Sequence, residues 1–289
     1  AAQRDAVTLA ADQVFGPSVA TAQGLSESGF GTVELNANGR ITVPSGVKIA
    51  AQVGGELVLR APQVDIAGDI RLPGGTLTVQ PVVPIGEAIS AELGAVTERV
   101  IVRSGADLST AGSWINASNP DGSFVGTPAP SGRLVASGTA STRAIDGGNL
   151  TIQIDDPLYQ TRFERGSSLD VGGGASIAAN KRVTGGKGGK LAIANGTAGQ
   201  STSDWLQADL RGFALGTGGE LTLGLTRAVI DSDSANGVLP SATTRLGTSL
   251  FSEFGFSKVT VNAVDGIDIV ADTAMLVQQK NLVVDPLTV

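Results

Sequence analysis

The sequence predicts an all-β chain, a right-handed parallel β-helix of about twenty residues per three-strand coil with loop insertions. Three observations carry that prediction. A glycine followed by two apolar residues spaced by two is written three times between Gly31 and Gln80. The predicted strands are too short to bury those pairs by themselves, so other copies must lie above and below them. And 40 glycines stand against 1 Met, 1 Tyr and 2 Trp, which describes a narrow interior of Val, Ile, Leu and Ala with many tight corners and few helices.

Gly31-Thr-Val-Glu-Leu35, Gly55-Glu-Leu-Val-Leu59 and Gly75-Thr-Leu-Thr-Val79 each read as a turn followed by a strand with one buried face. Between Gly55 and Gly75, Leu57 and Leu59 point one way and Glu56, Val58 and Arg60 the other, until Ala61-Pro62 breaks the strand. Val64 and Ile66 form a second pair with a corner at Gly68, and Ile70 and Leu72 a third, closed by Pro73-Gly74-Gly75. The preceding stretch repeats the plan with Val33 and Leu35, Ile41 and Val43, and Val47 and Ile49, separated by Asn38-Gly39 and Pro44-Ser-Gly46. Stacked coils would set Leu57 between Val33 and Leu77, each coil advancing by about 4.8 Å, with the hand that parallel connections take.

Further along, Arg99-Val-Ile-Val-Arg103 reads as a strand, with Ala106-Asp-Leu-Ser and Ser113-Trp-Ile-Asn116 as two more; Ala88 to Val96 fits either a short helix or a strand. The glycine pattern resumes at Gly147-Gly-Asn-Leu-Thr-Ile152, Gly188-Gly-Lys-Leu-Ala-Ile193 and Gly218-Gly-Glu-Leu-Thr-Leu223, and without glycines at Ser257-Lys-Val-Thr-Val261. The interval from Gly147 to Gly188, with Ser168-Leu-Asp-Val171 near its middle, suggests two coils. Insertions are expected near 119–133, 155–166, 199–204 and 232–244, and residues 1–30 read as an irregular or incomplete first coil. Gly266-Ile-Asp-Ile269 and Ala274-Met-Leu-Val277 return to alternation, and Leu282-Val-Val284 still reads as strand, as in a piece of a longer repetitive chain.

Composition narrows the chemistry. The chain has no cysteine, so disulfides and thiolate metal sites are excluded, and no histidine, which removes His-based acid/base catalysis, Ser-His-Asp triads and most zinc sites. A net charge of -7 with no basic cluster beyond Lys181-Arg182 argues against nucleic acid as a partner. No run of about 18 apolar residues exists, and residues 1–30 lack a basic start followed by an apolar run, so neither a membrane span nor a signal peptide is expected.

The coil Gly55 to Pro73 resembles the repeats of the filamentous haemagglutinin-like large exoproteins of bacterial two-partner secretion. The segments Gly166-Ser-Ser-Leu-Asp-Val-Gly-Gly-Gly174, Thr184-Gly-Gly-Lys-Gly-Gly-Lys-Leu191, Leu210-Arg-Gly-Phe213 and Phe254-Gly-Phe-Ser-Lys-Val259 resemble, in that order, a region of those proteins. The resemblance covers most of residues 31–275. It implies a secreted adhesin at the bacterial cell surface, exported through an outer-membrane two-partner secretion transporter and used in attachment or cell-cell contact. Members of that family begin with a secretion domain carrying Asn-Pro-Asn-Gly-Ile. Here only Asn36-Ala-Asn-Gly-Arg-Ile41 comes near it, and reads more simply as a corner, so the export signal is expected upstream of Ala1.

Thr184 to Lys190 invites comparison with a phosphate-binding loop, but Thr184 stands where the first glycine belongs and Leu191 replaces the Ser/Thr, so a glycine corner is the expected role. Asp155-Asp156 and Asp231-Ser-Asp233 are the acidic groups nearest to what a β-helical polysaccharide lyase or hydrolase would need, and each sits at a predicted coil end, where Asp caps turns. Calcium repeats lack their nonapeptide period. Asn116, Asn149 and Asn195 open N-glycosylation-like triplets, which chance explains in so Ser/Thr-rich a chain. Trp114, Tyr159 and Trp205, large aromatics beside predicted insertions, suit ligand contact or cover for the core beneath their loops. Trp114, Tyr159 and Arg162 are the candidate contact residues. No catalytic residue, metal or cofactor is expected. The sequence thus points to a non-enzymatic rod whose insertions meet a host or bacterial surface receptor or glycan. An end-to-end assembled extracellular filament and a glycan-degrading enzyme are the alternatives.

Overall fold

A computed structural model of the chain describes residues 31–83, 96–116, 145–154, 159–178, 180–195 and 205–284, together with the backbone of four short strands before residue 31. The expected insertions at 119–133 and 199–204, the Asp155-Asp156 pair, and most of the Ala88–Val96 segment lie outside the described residues.

Before residue 31, β1 (Ala6–Thr8) and β2 (Gln13–Phe15) run parallel to strands of the next turn of chain, and β3 (Val19–Ala20) is antiparallel to β4 (Ser26–Glu27). From there the chain visits three parallel sheets in rotation. β5 (Thr32–Asn36) lies in the first sheet, β6 (Arg40–Val43) in the second and β7 (Lys48–Ala51) in the third. β8 (Glu56–Arg60), β9 (Gln63–Ile66) and β10 (Asp69–Arg71) repeat the order, as do β11 (Thr76–Gln80), β12 (Glu98–Val102) and β13 (Asp107–Ser109). β14 (Trp114–Asn116) leaves the three sheets, and β15 (Asn149–Gln153), β16 (Gln160–Phe163) and β17 (Ser168–Asp170) make another pass. β18 (Ala175–Ile177) then lies parallel to β14 and antiparallel to β19 (Val183–Gly185), forming a small side sheet. β20 (Lys190–Ala194) re-enters the first sheet, Leu206 bridges Phe163 in the second, and β21 (Asp209–Arg211) extends the third. The long β22 (Gly219–Asp231) follows in the first sheet. β23 (Thr243–Gly247) pairs with its second half, and β24 (Phe256–Ile269) lies along its other edge.

Register turns the short apolar pairs into a core. Along the first sheet Val33, Leu57, Leu77, Leu150, Leu191, Leu221 and Val259 stand in one column, and Leu35, Leu59, Val79, Ile152, Ile193, Leu223 and Val261 in the next. Ile41, Val64 and Val100 form a column in the second sheet, and Ile49, Ile70, Leu108, Leu169 and Leu210 in the third. All these residues pack in a single cluster, buried within the stack and half-buried at its two ends, Val33/Leu35 and Val259/Val261. The period-2 alternation of each strand sends one face to this cluster, so a one-residue slip would turn every pair outward.

Glycine serves the corners in two different ways. At the corner from second to third sheet, Val47, Ala106 and Ser167 donate backbone N–H bonds to the carbonyls of Pro44, Arg103 and Glu164. The glycines at the third turn position, Gly46, Gly105 and Gly166, have φ of 82°, 85° and 88°. These are type II turns, whose third residue needs positive φ. At the entry to the first sheet the requirement is space. A Cβ on Gly75 would overlap the carbonyl oxygen of Gly55, one on Gly148 that of Gly75, and one on Gly189 that of Gly148. The residue after each glycine donates its N–H to the same carbonyl: Thr76 to Gly55 (3.0 Å), Asn149 to Gly75 (2.8 Å) and Lys190 to Gly148 (3.0 Å).

Four expectations change. The Gly147–Gly188 interval holds one pass rather than two coils, because Ser168–Asp170 is the third-sheet strand β17 and the residues after it build the β18–β19 hairpin. Gln160–Phe163, inside the stretch expected as an insertion, is strand β16. Ala274–Val277 and Leu282–Val284 are not strands despite their alternation, since no described strand pairs with them; Leu276 and Val277 are exposed. Gly188 and Gly189 form a corner as expected, but through close backbone approach and not through positive φ.

Leu150→Ala, in the middle of a column, should cost about 2–5 kcal/mol, and Val259→Ala, at its half-exposed end, clearly less; denaturant unfolding of each variant measures the difference. Gly148→Ala should destabilise strongly because its methyl overlaps a backbone oxygen, whereas Gly31→Ala, whose Cβ meets nothing within 4 Å, should be neutral or slightly stabilising by the same measurement.

Candidate functional site

The connections between sheets are unequal. The corner from second to third sheet stays a four-residue turn on three passes and a shorter Ala67-Gly68 bend on another. Chain length varies instead between first and second sheets, after β11, β15 and β20, and between third and first, where the side sheet stands. Tyr159 and Arg162 belong to the former region and Trp114 to the latter. The three candidate contact residues therefore divide between two corners.

Trp114 lies in β14 and is 8% exposed, its strand flanked by β18 in the side sheet. Trp205 is more deeply buried at 1%, with its ring 5.9 Å from Phe163 and its Nε1 donating to Thr244 Oγ1 at 2.8 Å. It closes the core where Leu206 bridges β16. Tyr159 is half-buried, and Arg162, with a side chain 51% exposed, donates from Nη1 to Glu98 Oε1 at 3.2 Å.

Tyr159 and Arg162 meet adjacent residues of β12, Arg99 and Glu98, at a bulge. β16 pairs with β12 through Glu98–Gln160 and then Val100–Thr161, so Arg99 is an extra residue on β12 with no partner in the ladder. Bulges re-aim side chains, and this one buries Arg99 to 1% exposure. Its guanidinium carbon lies 3.8 Å from the centre of the Tyr159 ring, a cation–π contact, and its Nη1 donates to the Pro62 carbonyl at 3.4 Å. Around it runs a polar chain across successive passes. Arg40 Nε donates to Gln63 Oε1 (2.6 Å), Gln63 Nε2 to the Glu98 carbonyl (3.1 Å), and the Glu98 carboxylate accepts from Arg162.

The next pass adds a buried amide. Asn195 Oδ1 accepts from the Thr161 N–H at 2.7 Å and from its hydroxyl at 3.4 Å, and both residues are buried. Thr161 holds a position that Val64 and Val100 hold in earlier passes, so the hydroxyl is matched by a partner rather than replaced by a methyl. Asn116 and Asn195, which open two of the three N-glycosylation-like triplets, are buried, whereas Asn149 is exposed on the first sheet.

Charged pairs elsewhere on the outer faces link neighbouring passes. Arg60 reaches Glu34 and Gln80, Arg71 reaches Asp107, and Arg103 clasps Asp65 and also meets Glu164. The hydrogen bond to Asp65 above all, helped by the charge of Asp65 and by the hydrogen bond and charge of Glu164, holds the Arg103 guanidinium above its ordinary pKa against the opposing effect of burial. A raised basic group stabilises fully below its unfolded-state value, so this contribution does not change across the neutral range. Partly exposed pairs of this kind contribute about 0–1 kcal/mol each.

Of the acidic residues that a glycan-cleaving enzyme would call on, Asp233 accepts from the hydroxyls of Thr248 and Ser249 and from the Ser249 N–H, capping a turn, and Asp231 faces Arg245 at 3.7 Å. Lys190, at the end of the glycine-rich stretch, faces Glu220 at 3.8 Å. Among the described residues no group of three acidic side chains is placed to hold a metal ion, and no helix is long and apolar enough to cross a membrane.

Tyr159 and Arg162 stand out in the sequence as large side chains beside an insertion, whereas Arg99 reads there as the edge of a strand. The signal lay in Glu98-Arg99, two adjacent polar residues before Val-Ile-Val, which breaks strict alternation. Thr244→Val should cost about 1–3 kcal/mol by leaving the buried Trp205 N–H unpaired, read as a lower unfolding midpoint with a red-shift or loss of the tryptophan emission change. No family model, curated protein or solved structure matches the chain.

Proposed function

We propose that this chain is a rod segment of a secreted, cell-surface filamentous adhesin, folded as a right-handed parallel β-helix and exported through an outer-membrane two-partner secretion transporter. The observation that carries the reading is the rotation of the chain through three parallel sheets with apolar pairs in register from β5 to β24. Such a stack grows by adding passes without changing its cross-section, which suits a spacer that carries binding surfaces away from a cell. The absence of cysteine suits export in an unfolded state. Contact with a surface receptor or glycan then falls to the elaborated corners, with Tyr159 and Arg162 at one and Trp114 at the other.

The alternative of a filament assembled from subunits is favoured by one feature, the far edge of β24. No described strand pairs there, and Val264, Ile267 and Ile269 on that strand are exposed. Sheet edges of this kind recruit further strands. Concentration-dependent sedimentation distinguishes the two readings, since a spacer cut from a continuous rod has no requirement to lengthen by self-association.

Surface attachment is tested with beads carrying the purified chain, applied to bacterial and host cells and to immobilised acidic glycans. Saturable attachment, reduced at least severalfold by the double substitution Tyr159→Ala with Arg162→Ala, is the expected result. Attachment absent, or unchanged in the double variant, contradicts it, and release of reducing ends from the glycans would favour the enzyme instead.

A further inference from the structure

We propose that Arg99 is a carboxylate-binding residue, whose ligand is the carboxylate of an acidic sugar or another small organic acid. Arg99 is 1% exposed, yet two of its nitrogens, Nε and Nη2, have no hydrogen-bond acceptor among the described residues. A guanidinium is always ionised and carries five donors. Buried charge without a partner is strongly unfavourable, and buried polar groups nearly always find one. The ring of Tyr159 compensates one face of the cation, and the Pro62 carbonyl takes only Nη1.

The two open donors lie on the same edge of the guanidinium, the edge that presents two parallel N–H bonds to two carboxylate oxygens. Other arginines of the molecule turn this same edge to a carboxylate. Arg103 holds Asp65 through Nε (3.0 Å) and Nη2 (2.9 Å), Arg227 holds Asp268 through Nε (3.0 Å) and Nη2 (2.7 Å), and Arg211 holds Asp209 through the same two atoms. Arg99 presents the same edge, enclosed, with no acceptor on it among the described residues. The bulge that turns Arg99 inward places it beside Glu98, whose own carboxylate is engaged by Arg162. A carboxylate is therefore the group whose geometry and charge complete the site. Because the edge is enclosed, the ligand is a small acid or a terminal carboxylate.

This inference names the chemistry of the Tyr159–Arg162 corner, and rests on the adhesin reading only for where the acid comes from. The test keeps the two apart. Side-chain Nε resonances of the uniformly 15N-labelled chain are followed during titration with acetate, galacturonate, galactose and chloride at constant ionic strength, alongside thermal unfolding. The expected result is a saturable downfield shift of the Arg99 resonance, assigned through Arg99→Lys, with both acids and with neither control. A matching rise in unfolding midpoint should vanish in Arg99→Lys and Arg99→Met. In carboxylate-free buffer Arg99→Met should be at least as stable as the parent, an outcome that a purely structural arginine would not give.

The proposal is overturned if acetate leaves the Arg99 resonance in place, or if Arg99→Met retains the protection. It is also overturned if the resonance is already in its carboxylate-bonded position without added acid and moves in Asp155→Asn or Asp156→Asn, which would make the partner the chain's own. If both acids bind at Arg99 while the beads fail to attach to cells, the site stands and the adhesin reading falls.

Discussion

The bond from an amide at the start of five first-sheet strands, β8, β11, β15, β20 and β22, to a glycine carbonyl one pass earlier is the contact on which the rest of the architecture depends. It recurs from Glu56 to Gly31, Thr76 to Gly55, Asn149 to Gly75, Lys190 to Gly148 and Glu220 to Gly189. Several of these glycines have no room for a side chain, so the backbones approach closely at the corner and the strand that follows begins at a fixed height. Fixing that height fixes the register, and the register sets Leu57 above Val33 and below Leu77. Burial in the resulting columns, about 1.5–3 kcal/mol for each fully enclosed aliphatic side chain, then supplies the cohesion that three- to five-residue strands lack by themselves.

That dependence explains which parts of the structure were legible in the amino-acid sequence. The first sheet was readable from β5 to the start of β22 because glycine and two apolar residues recur together, even when the interval lengthens before Gly147 and Gly188, whereas β23, which carries no such pattern, was not. β16 was not, because Gln-Thr-Arg-Phe shows only one apolar residue: Thr161 enters the core with its hydroxyl bonded to Asn195, more than thirty residues later (|i−j| = 34). The side sheet was hidden in glycine-rich sequence that equally suits plain corners. Ala274–Val277 shows the converse failure, since alternation without a neighbouring strand does not make a strand. At the candidate site Tyr159 and Arg162 were legible as large side chains near an insertion, but Arg99 was not, since its burial follows from one extra residue in the β12–β16 pairing.

The molecule separates cohesion from variation. The corner between the second and third sheets is a repeated tight turn, and Arg103 and Arg71 stitch its flanking faces across passes. The other two corners absorb nearly all differences in length between passes and gather the large side chains, Trp114 at one and Tyr159, Trp205 and Arg99 at the other. In a stack whose core tolerates little change, binding groups belong where the chain is free to lengthen. The proposed rod and the proposed carboxylate site follow from this division, the first from the uniform part and the second from the irregular one.

Spin labelling tests the stack most directly, and the chain's lack of cysteine makes it simple. Labels at Glu34→Cys and Thr222→Cys would occupy one outward column of the first sheet, with Val58, Thr78, Thr151 and Ala192 between them. Five steps of about 4.8 Å give a narrow backbone separation near 24 Å. A distance in that range supports the in-register stack, whereas a broad distribution, or one centred well away from it, would contradict the account.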